Sequence, residues 1–237
     1  MHLAILMTNT DESAFAQAHP KDGEKFTTMI HGVRPDWQVT SFNVKDGVFP
    51  SDISAFDGVM ITGSPASVLD EDEWVTRLLA LIKEAFDTGM PMFGACYGHQ
   101  AIALALDGEI GPNPSGWVFG LTHSTVTERA AWMADLPETF PQYGAHIEAV
   151  TRLPEGATPI STSEACAVTG YRIGSQVYTT QNHPEMTPAF IKALVAEYQD
   201  KLPEGVGQAA QASLTEEIDM RVYAEAIARF FEHASPN

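Results

Sequence analysis

The chain has 237 residues, 44% hydrophobic and 19% charged, with 31 Asp and Glu against 13 Lys and Arg, a formal net charge of −18. This apolar content builds a core and excludes intrinsic disorder. The acidic excess argues against nucleic acid and anionic membrane surfaces, which both need a basic face, and is read as a well-solvated surface. The opening run His2 to Met7 is too short for a signal-peptide core and has no basic flank. No stretch of about 18 apolar residues is present to span a membrane. Two cysteines, Cys96 and Cys166, make no disulfide framework, so a reduced, cytoplasmic setting is expected.

Leu3 to Met7 reads as a continuous apolar strand and Lys21 to His31 as a helix. Trp37 to Val44 and Asp57 to Thr62 are further strands, the second stopped by Gly63-Ser64-Pro65. Asp70 to Asp87 reads as a helix with Trp74, Leu78, Leu81, Ile82, Ala85 and Phe86 on one stripe, and Met92-Phe93 as a short strand after it. This alternation predicts an α/β fold, a flavodoxin-like open, mostly parallel sheet with helices on both faces. Beyond a Gly- and Pro-rich segment at 108–116 come β-like runs at 117–126, 157–161, 165–173 and 176–181, a small antiparallel portion in which Tyr171 to Thr179 forms a hairpin. Pro188 to Tyr198 is a helix, Lys201 to Ala212 a surface loop, and Leu214 to His233 a terminal helix. The spacing Ser213-x-x-Glu216 predicts a capping box for that last helix. No composition shift marks a boundary, so residues 1–237 read as one domain with a helical tail from about 203.

Chemistry concentrates in Gly94-Ala95-Cys96-Tyr97-Gly98-His99-Gln100, a strand, a G-x-C-x-G turn and a helix of small residues. Such a nucleophile elbow strains its central residue and exposes the sulfur at the carboxyl edge of the sheet. The first amides of the following helix then favour a thiolate and can bind an oxyanion. Cys166 has no such setting and reads as structural. A cysteine nucleophile needs a base and an orienter, and His183-Pro184-Glu185 supplies both, because an extended x-Pro-x brings the first and third side chains to the same side. His99, His123 and His146 read as local polar contacts rather than metal ligands. No H-E-x-x-H and no paired-cysteine spacing suggests a metal, and no cofactor is expected.

The elbow and the H-P-E segment together resemble the class I, or triad, glutamine amidotransferase family, in particular stand-alone members similar to the amidotransferase part of GMP synthase. Ile61 to Val68 is similar to the family's glycine loop, and His146-Ile147-Glu148-Ala149-Val150 to its H-x-D/E-x-V segment. The resemblance implies Cys96 as nucleophile, His183 as general base and acid, and Glu185 as orienter. It implies an oxyanion hole from the amides of Gly63 or Ser64 and of Tyr97, with Gln100 and His146 as substrate contacts. Two positions depart from the pattern: Asn182 replaces an aromatic, and Ile147 replaces the glycine after the histidine. The implied reaction is hydrolysis of the γ-carboxamide of glutamine through a γ-glutamyl thioester, releasing ammonia for a separate acceptor or synthetase subunit. No G-x-x-x-x-G-K phosphate loop is present to make the chain ATP-dependent. The alternative is a γ-glutamyl hydrolase or peptidase acting on other γ-glutamyl amides. A third reading, a redox or non-catalytic protein of a related cysteine fold, does not explain the H-P-E segment.

Overall fold

Leu3, Ala4, Ile5 and Leu6 are all buried, which is why the first strand, β1 (His2–Met7), shows no polar alternation. Leu3 and Ile5 enter one core with Phe26, Ile30 and Phe230, while Ala4 and Leu6 enter another with Leu78, Ile82 and Ile102. The strand is covered on both faces, as a parallel sheet requires. The computed structural model describes residues 1–216 and 218–234.

After β1 come α1 (Ala14–Gln17), α2 (Asp22–His31), β2 (Gln38–Asn43), β3 (Gly58–Ile61), α3 (Glu73–Asp87), β4 (Met92–Ala95) and α4 (Tyr97–Ala105). Then follow β5 (Glu109–Pro112), β6 (Val118–Val126), β7 (Thr139–His146), β8 (Glu148–Arg152), β9 (Ala157–Thr162), β10 (Gly170–Ile173) and β11 (Val177–Thr180). The chain finishes with α5 (Pro188–Tyr198), α6 (Val206–Ser213) and α7 (Met220–Ala234). The main sheet has the order β2-β1-β3-β4-β11-β10-β9-β6-β7. Strands from β2 to β11 pair in parallel, and those from β11 to β7 pair antiparallel. β5 and β8 form a separate antiparallel pair. This is the α/β architecture expected, with the antiparallel hairpin β10–β11 turning at Gly174.

α2 and α7 cover one face, and α3 and α4 the other. α7 docks on the sheet so closely that a Cβ on Gly58 would lie 2.5 Å from the Phe231 ring. Several boundaries differ from the expectation. α3 starts at Glu73 rather than Asp70, and the strand expected from Ala165 starts only at Gly170, leaving Cys166 in a turn. The expected surface loop contains α6, whose Gly207 and Ala210 are buried. A helix that packs through small residues carries no bulky stripe to betray it: a Cβ on Gly207 would meet the Gln199 carbonyl at 2.5 Å. α7 starts at Met220, so Ser213 caps nothing; it ends α6 and its Oγ accepts the Leu121 N–H at 2.8 Å, while Glu216 pairs with His123 at 2.9 Å. The final residues of the expected tail, 235–237, and residue 217 lie outside those described. Among the described residues no helix is long and apolar enough to cross a membrane.

Candidate active site

β4 and β11 run parallel with Ala95 opposite Thr180, so the segments leaving their carboxyl ends emerge side by side. The Cys96 N–H donates to the Thr180 carbonyl at 2.9 Å, tying the elbow to that neighbour. Cys96 has φ 50° and ψ −104°, a left-handed conformation that costs a side-chain-bearing residue on the order of 1–3 kcal/mol. The strain falls on the cysteine itself, while the flanking glycines serve close approach. A Cβ on Gly94 would lie 2.6 Å from the Gly98 backbone, and one on Gly98 would lie 2.4 Å from the Ile61 carbonyl oxygen.

His183 leaves β11 with its N–H donating to the Tyr143 carbonyl at 2.8 Å, and its Nδ1 lies 2.7 Å from Glu185 Oε1. Both side chains are buried. Burial disfavours the imidazolium, but the Glu185 carboxylate, the Cys96 sulfur and hydrogen bonds to both outweigh it, holding the His183 pKa well above the ordinary histidine value. Gly63 closes the other side. A Cβ there would sit 2.6 Å from His183 Cε1 and 3.5 Å from Cys96 Cβ. Cys96, His183 and Glu185 thus come together, from the ends of two neighbouring strands.

The loop after β3 is held from behind. Thr8 Oγ1 donates at 3.0 Å and lies that distance from both the Thr62 and Gly63 carbonyls, and the Thr8 N–H donates to Thr62 Oγ1 at 3.0 Å. In a trans peptide, drawing the Gly63 carbonyl back turns the Ser64 N–H the opposite way, and Ser64 lines the same cavity as Cys96. Tyr97 is the first residue of α4, where an amide has no acceptor within its helix. Its side chain stacks on Trp74 with centroids 5.6 Å apart, away in the helix layer.

Gln100 and His146 meet at one atom, the Glu148 carbonyl oxygen, each 2.9 Å away. A carbonyl only accepts, so Gln100 Nε2 and His146 Nδ1–H are the donors. Burial pushes the His146 pKa down to about 4, the Glu148 contact opposing and His183 adding to the fall. The ring is therefore neutral near pH 7 and its unpartnered, buried Nε2 is an acceptor. Both side chains line the cavity with Cys96. The Glu148 carboxylate itself accepts from Ser67 Oγ.

His99 lies behind the elbow, its Nδ1 2.9 Å from Thr179 Oγ1 and its pKa pushed down to about 3 by burial and by His146. The two departures from the family pattern take different places. Ile147 is exposed on the cavity wall, whereas Asn182 is buried against Gly144, Ser124 and Gln142. Cys166 is buried far along the chain, with burial raising its thiol pKa. Among the described residues no three His, Cys, Asp or Glu side chains cluster as a metal site would need. No local sequence pattern marks the anchoring roles of Thr8, Thr62 and the Glu148 carbonyl.

An elbow cysteine and a buried His–carboxylate pair thus share one cleft at the carboxyl edge of the parallel half of the sheet. The class-I glutamine amidotransferase family model matches residues 29–195, and the chain belongs to that family. Gamma-glutamyl peptidase 3 of Arabidopsis thaliana is 29% identical over 162 residues, 65% of each chain. The GMP synthase (glutamine-hydrolyzing) of Caldicellulosiruptor saccharolyticus is 33% identical over 132 residues, 54% of this chain and 24% of that one. In fold the chain is similar to the crystal structure of a glutamine amidotransferase from Thermotoga maritima, with a TM-score of 0.80, 17% identity, and coverage of 97% and 98% of the two chains.

Proposed function

We propose that the protein, acting as one domain, hydrolyses γ-glutamyl amides with Cys96 as nucleophile, His183 as base and acid, and Glu185 as orienter. The observation that carries this reading is the 2.7 Å His183–Glu185 contact beside a cysteine in strained elbow geometry. Because Nδ1 is engaged by the carboxylate, Nε2 is the nitrogen that exchanges the proton with sulfur.

Cys96 gives its proton to His183, and the sulfur bonds to the γ-carbonyl carbon while the carbonyl π pair moves onto oxygen. The Tyr97 amide and an amide of the Gly63-Ser64 loop donate to that oxyanion, Ser64 being the better oriented of the two. Each donor is worth about 3 kcal/mol in such sites. The C–N bond then breaks as the nitrogen takes the proton from His183, leaving a γ-glutamyl thioester. Water, deprotonated by the same ring, cleaves the thioester to glutamate and returns the proton to sulfur. Gln100 Oε1 and His146 Nε2, both acceptors fixed by the Glu148 carbonyl, suit the α-ammonium of the glutamyl group.

Glutamine is the simplest substrate, its ammonia passing to a separate acceptor or synthetase subunit. The second reading, a γ-glutamyl peptidase, is favoured by the size of the cavity. Glutamate release from glutamine and from γ-glutamyl dipeptides, with and without candidate partner proteins, separates the two. Cys96→Ala is expected to abolish release from both, and Cys166→Ala to retain it. Equal turnover by wild type and Cys96→Ala would overturn the reading.

A further inference from the structure

The cleft around Cys96 is larger than glutamine requires. It encloses about 580 Å³, the scale of sites that enclose drug-sized ligands. Its wall follows the carboxyl edge of the sheet from Cys96 after β4, past Gly63 after β3, to Met7 and Asn43 at the ends of β1 and β2. β2 stands three strand positions from β4, roughly 14 Å at the usual spacing.

The two arms of this cleft differ in chemistry. Near Gln100 and His146 it presents fixed polar acceptors. Over β1 and β2 it is walled by aromatic rings from α1 and the turn after it and from α5, far apart in sequence. Phe15 and Phe190 have centroids 5.9 Å apart, His19 and Phe190 5.5 Å, and Phe15 and Tyr198 6.5 Å in an edge contact. All four line the cavity and are half-buried; the Lys25 ammonium covers one face of Phe190, and the Lys201 ammonium lies 4.8 Å from the Tyr198 centroid. Most charged groups in this arm are already paired. Lys25 bonds Asp22 at 2.9 Å and lies 3.7 Å from the Phe190 centroid. Lys45 bonds Glu12 at 2.6 Å and Asp46 at 2.8 Å, and Asp11 accepts from the Tyr198 hydroxyl at 3.2 Å.

A γ-glutamyl head is zwitterionic and needs the polar arm. What remains is an aromatic arm, continuous with the cavity around Cys96, in which Lys25 and Lys45 are both already paired with carboxylates. We propose that this arm is a leaving-group subsite, and that the preferred substrate is a γ-glutamyl amide whose amine carries a neutral aromatic or large apolar group. The proposal rests on the hydrolase reading above and extends it from bond to substrate class. The chemistry is unchanged: the C–N bond breaks, the amine departs with the His183 proton, and its apolar group leaves from the arm over β1.

The test compares kcat/KM of the full chain for γ-glutamyl-benzylamide, γ-glutamyl-methylamide, glutamine and γ-glutamyl-putrescine. The benzylamide should exceed the methylamide by about tenfold or more, as apolar pockets discriminate over that range, and the cationic putrescine amide should fall below the benzylamide. Phe190→Leu and Phe15→Leu should each lower the benzylamide-to-methylamide ratio, chiefly through KM. A merely destabilised fold would lower both rates together and leave the ratio intact. Equal kcat/KM for the two amides, a preference for the putrescine amide, or an unchanged ratio in both variants would overturn the subsite while leaving the hydrolase reading standing. No turnover of any of the four, or equal turnover by Cys96→Ala, would overturn the hydrolase reading itself.

Discussion

Gly63→Ala would add a methyl carbon 2.6 Å from His183 Cε1, 3.3 Å from its Nδ1 and 3.5 Å from Cys96 Cβ. Carbon–carbon contacts relax to about 3.5–4.0 Å, so the ring or the loop must move by roughly 1 Å. Neither moves freely. The ring is buried and held by Glu185 at 2.7 Å, and the Gly63 carbonyl is held by Thr8 Oγ1 at 3.0 Å. Gly63 is not among the glycines with positive φ, so alanine meets no backbone penalty and the perturbation is purely steric. A misplacement of about 1 Å in a reacting group costs on the order of 10²-fold in rate. Weakening the charge-assisted His183–Glu185 bond, worth about 1.5–3 kcal/mol, gives a similar factor. Overpacking of this kind removes only about 1–3 kcal/mol of folding stability. The assay is kcat/KM for glutamate release, measured alongside thermal unfolding. A loss of about a hundredfold with a cooperative melting transition is expected. Wild-type activity in Gly63→Ala would refute the assignment of His183 as the proton carrier.

Three further outcomes follow from the same geometry. Burial works against the His183 proton and Glu185 retains it, so Glu185→Gln should lower the pKa of His183 and move the alkaline limb of the pH–rate profile to lower pH; an unmoved limb would exclude the orienting role. His99 and His146 are held neutral, with pKa values near 3 and near 4 against 6.5 unfolded, so their stability contribution is full above about pH 6.5 and lost as the pH falls. At about pH 5 each loss amounts to roughly 2 kcal/mol. His183 has the opposite sign, its contribution being present below about pH 6.5 and lost only as pH rises through its raised folded value, so it leaves that window unaffected. His99→Gln should therefore flatten the fall in melting temperature between about pH 7 and 5, and parallel slopes would contradict this. Ending the chain before Met220 removes Tyr223, Ile227, Phe230 and Phe231, all buried, and uncovers the sheet face they pack on. At about 1.5–3 kcal/mol each, their loss rivals the whole stability of a domain, so the truncated chain should not fold; a soluble, cooperatively melting product would refute that docking.

What could be read from the sequence was whatever the backbone demands locally. Gly94, Cys96 and Gly98 sit within five residues because a strand must turn sharply into a helix there, and His183 and Glu185 sit two apart because proline extends the link between them. The parallel strands were legible because burial on both faces leaves no polar residue in Leu3–Leu6 of β1 or in β3. β7 was not, since Gln142 and His146 are buried polar side chains that interrupt an apolar pattern. α6 escaped because its contact is made by glycine and alanine rather than by a stripe of large residues.

What fixes the proposed substrate contacts, and the aromatic arm beside them, was illegible for a different reason. Gln100 and His146 are oriented by the Glu148 carbonyl, an atom that every residue has and no sequence pattern marks. The aromatic arm draws Phe15 from a four-residue helix and Phe190 from a helix near the other end of the chain. Cys96, the proposed nucleophile, depends on a local turn that only a few residue types fit, so its motif is compact. The leaving-group arm needs only apolar faces in the right place, and many residues at many positions supply those. Chemistry and substrate class are therefore encoded at different distances along this chain. On the proposed reading, such a cleft exchanges its leaving group by altering α1 and α5 while Cys96, His183 and Glu185 keep the same reaction.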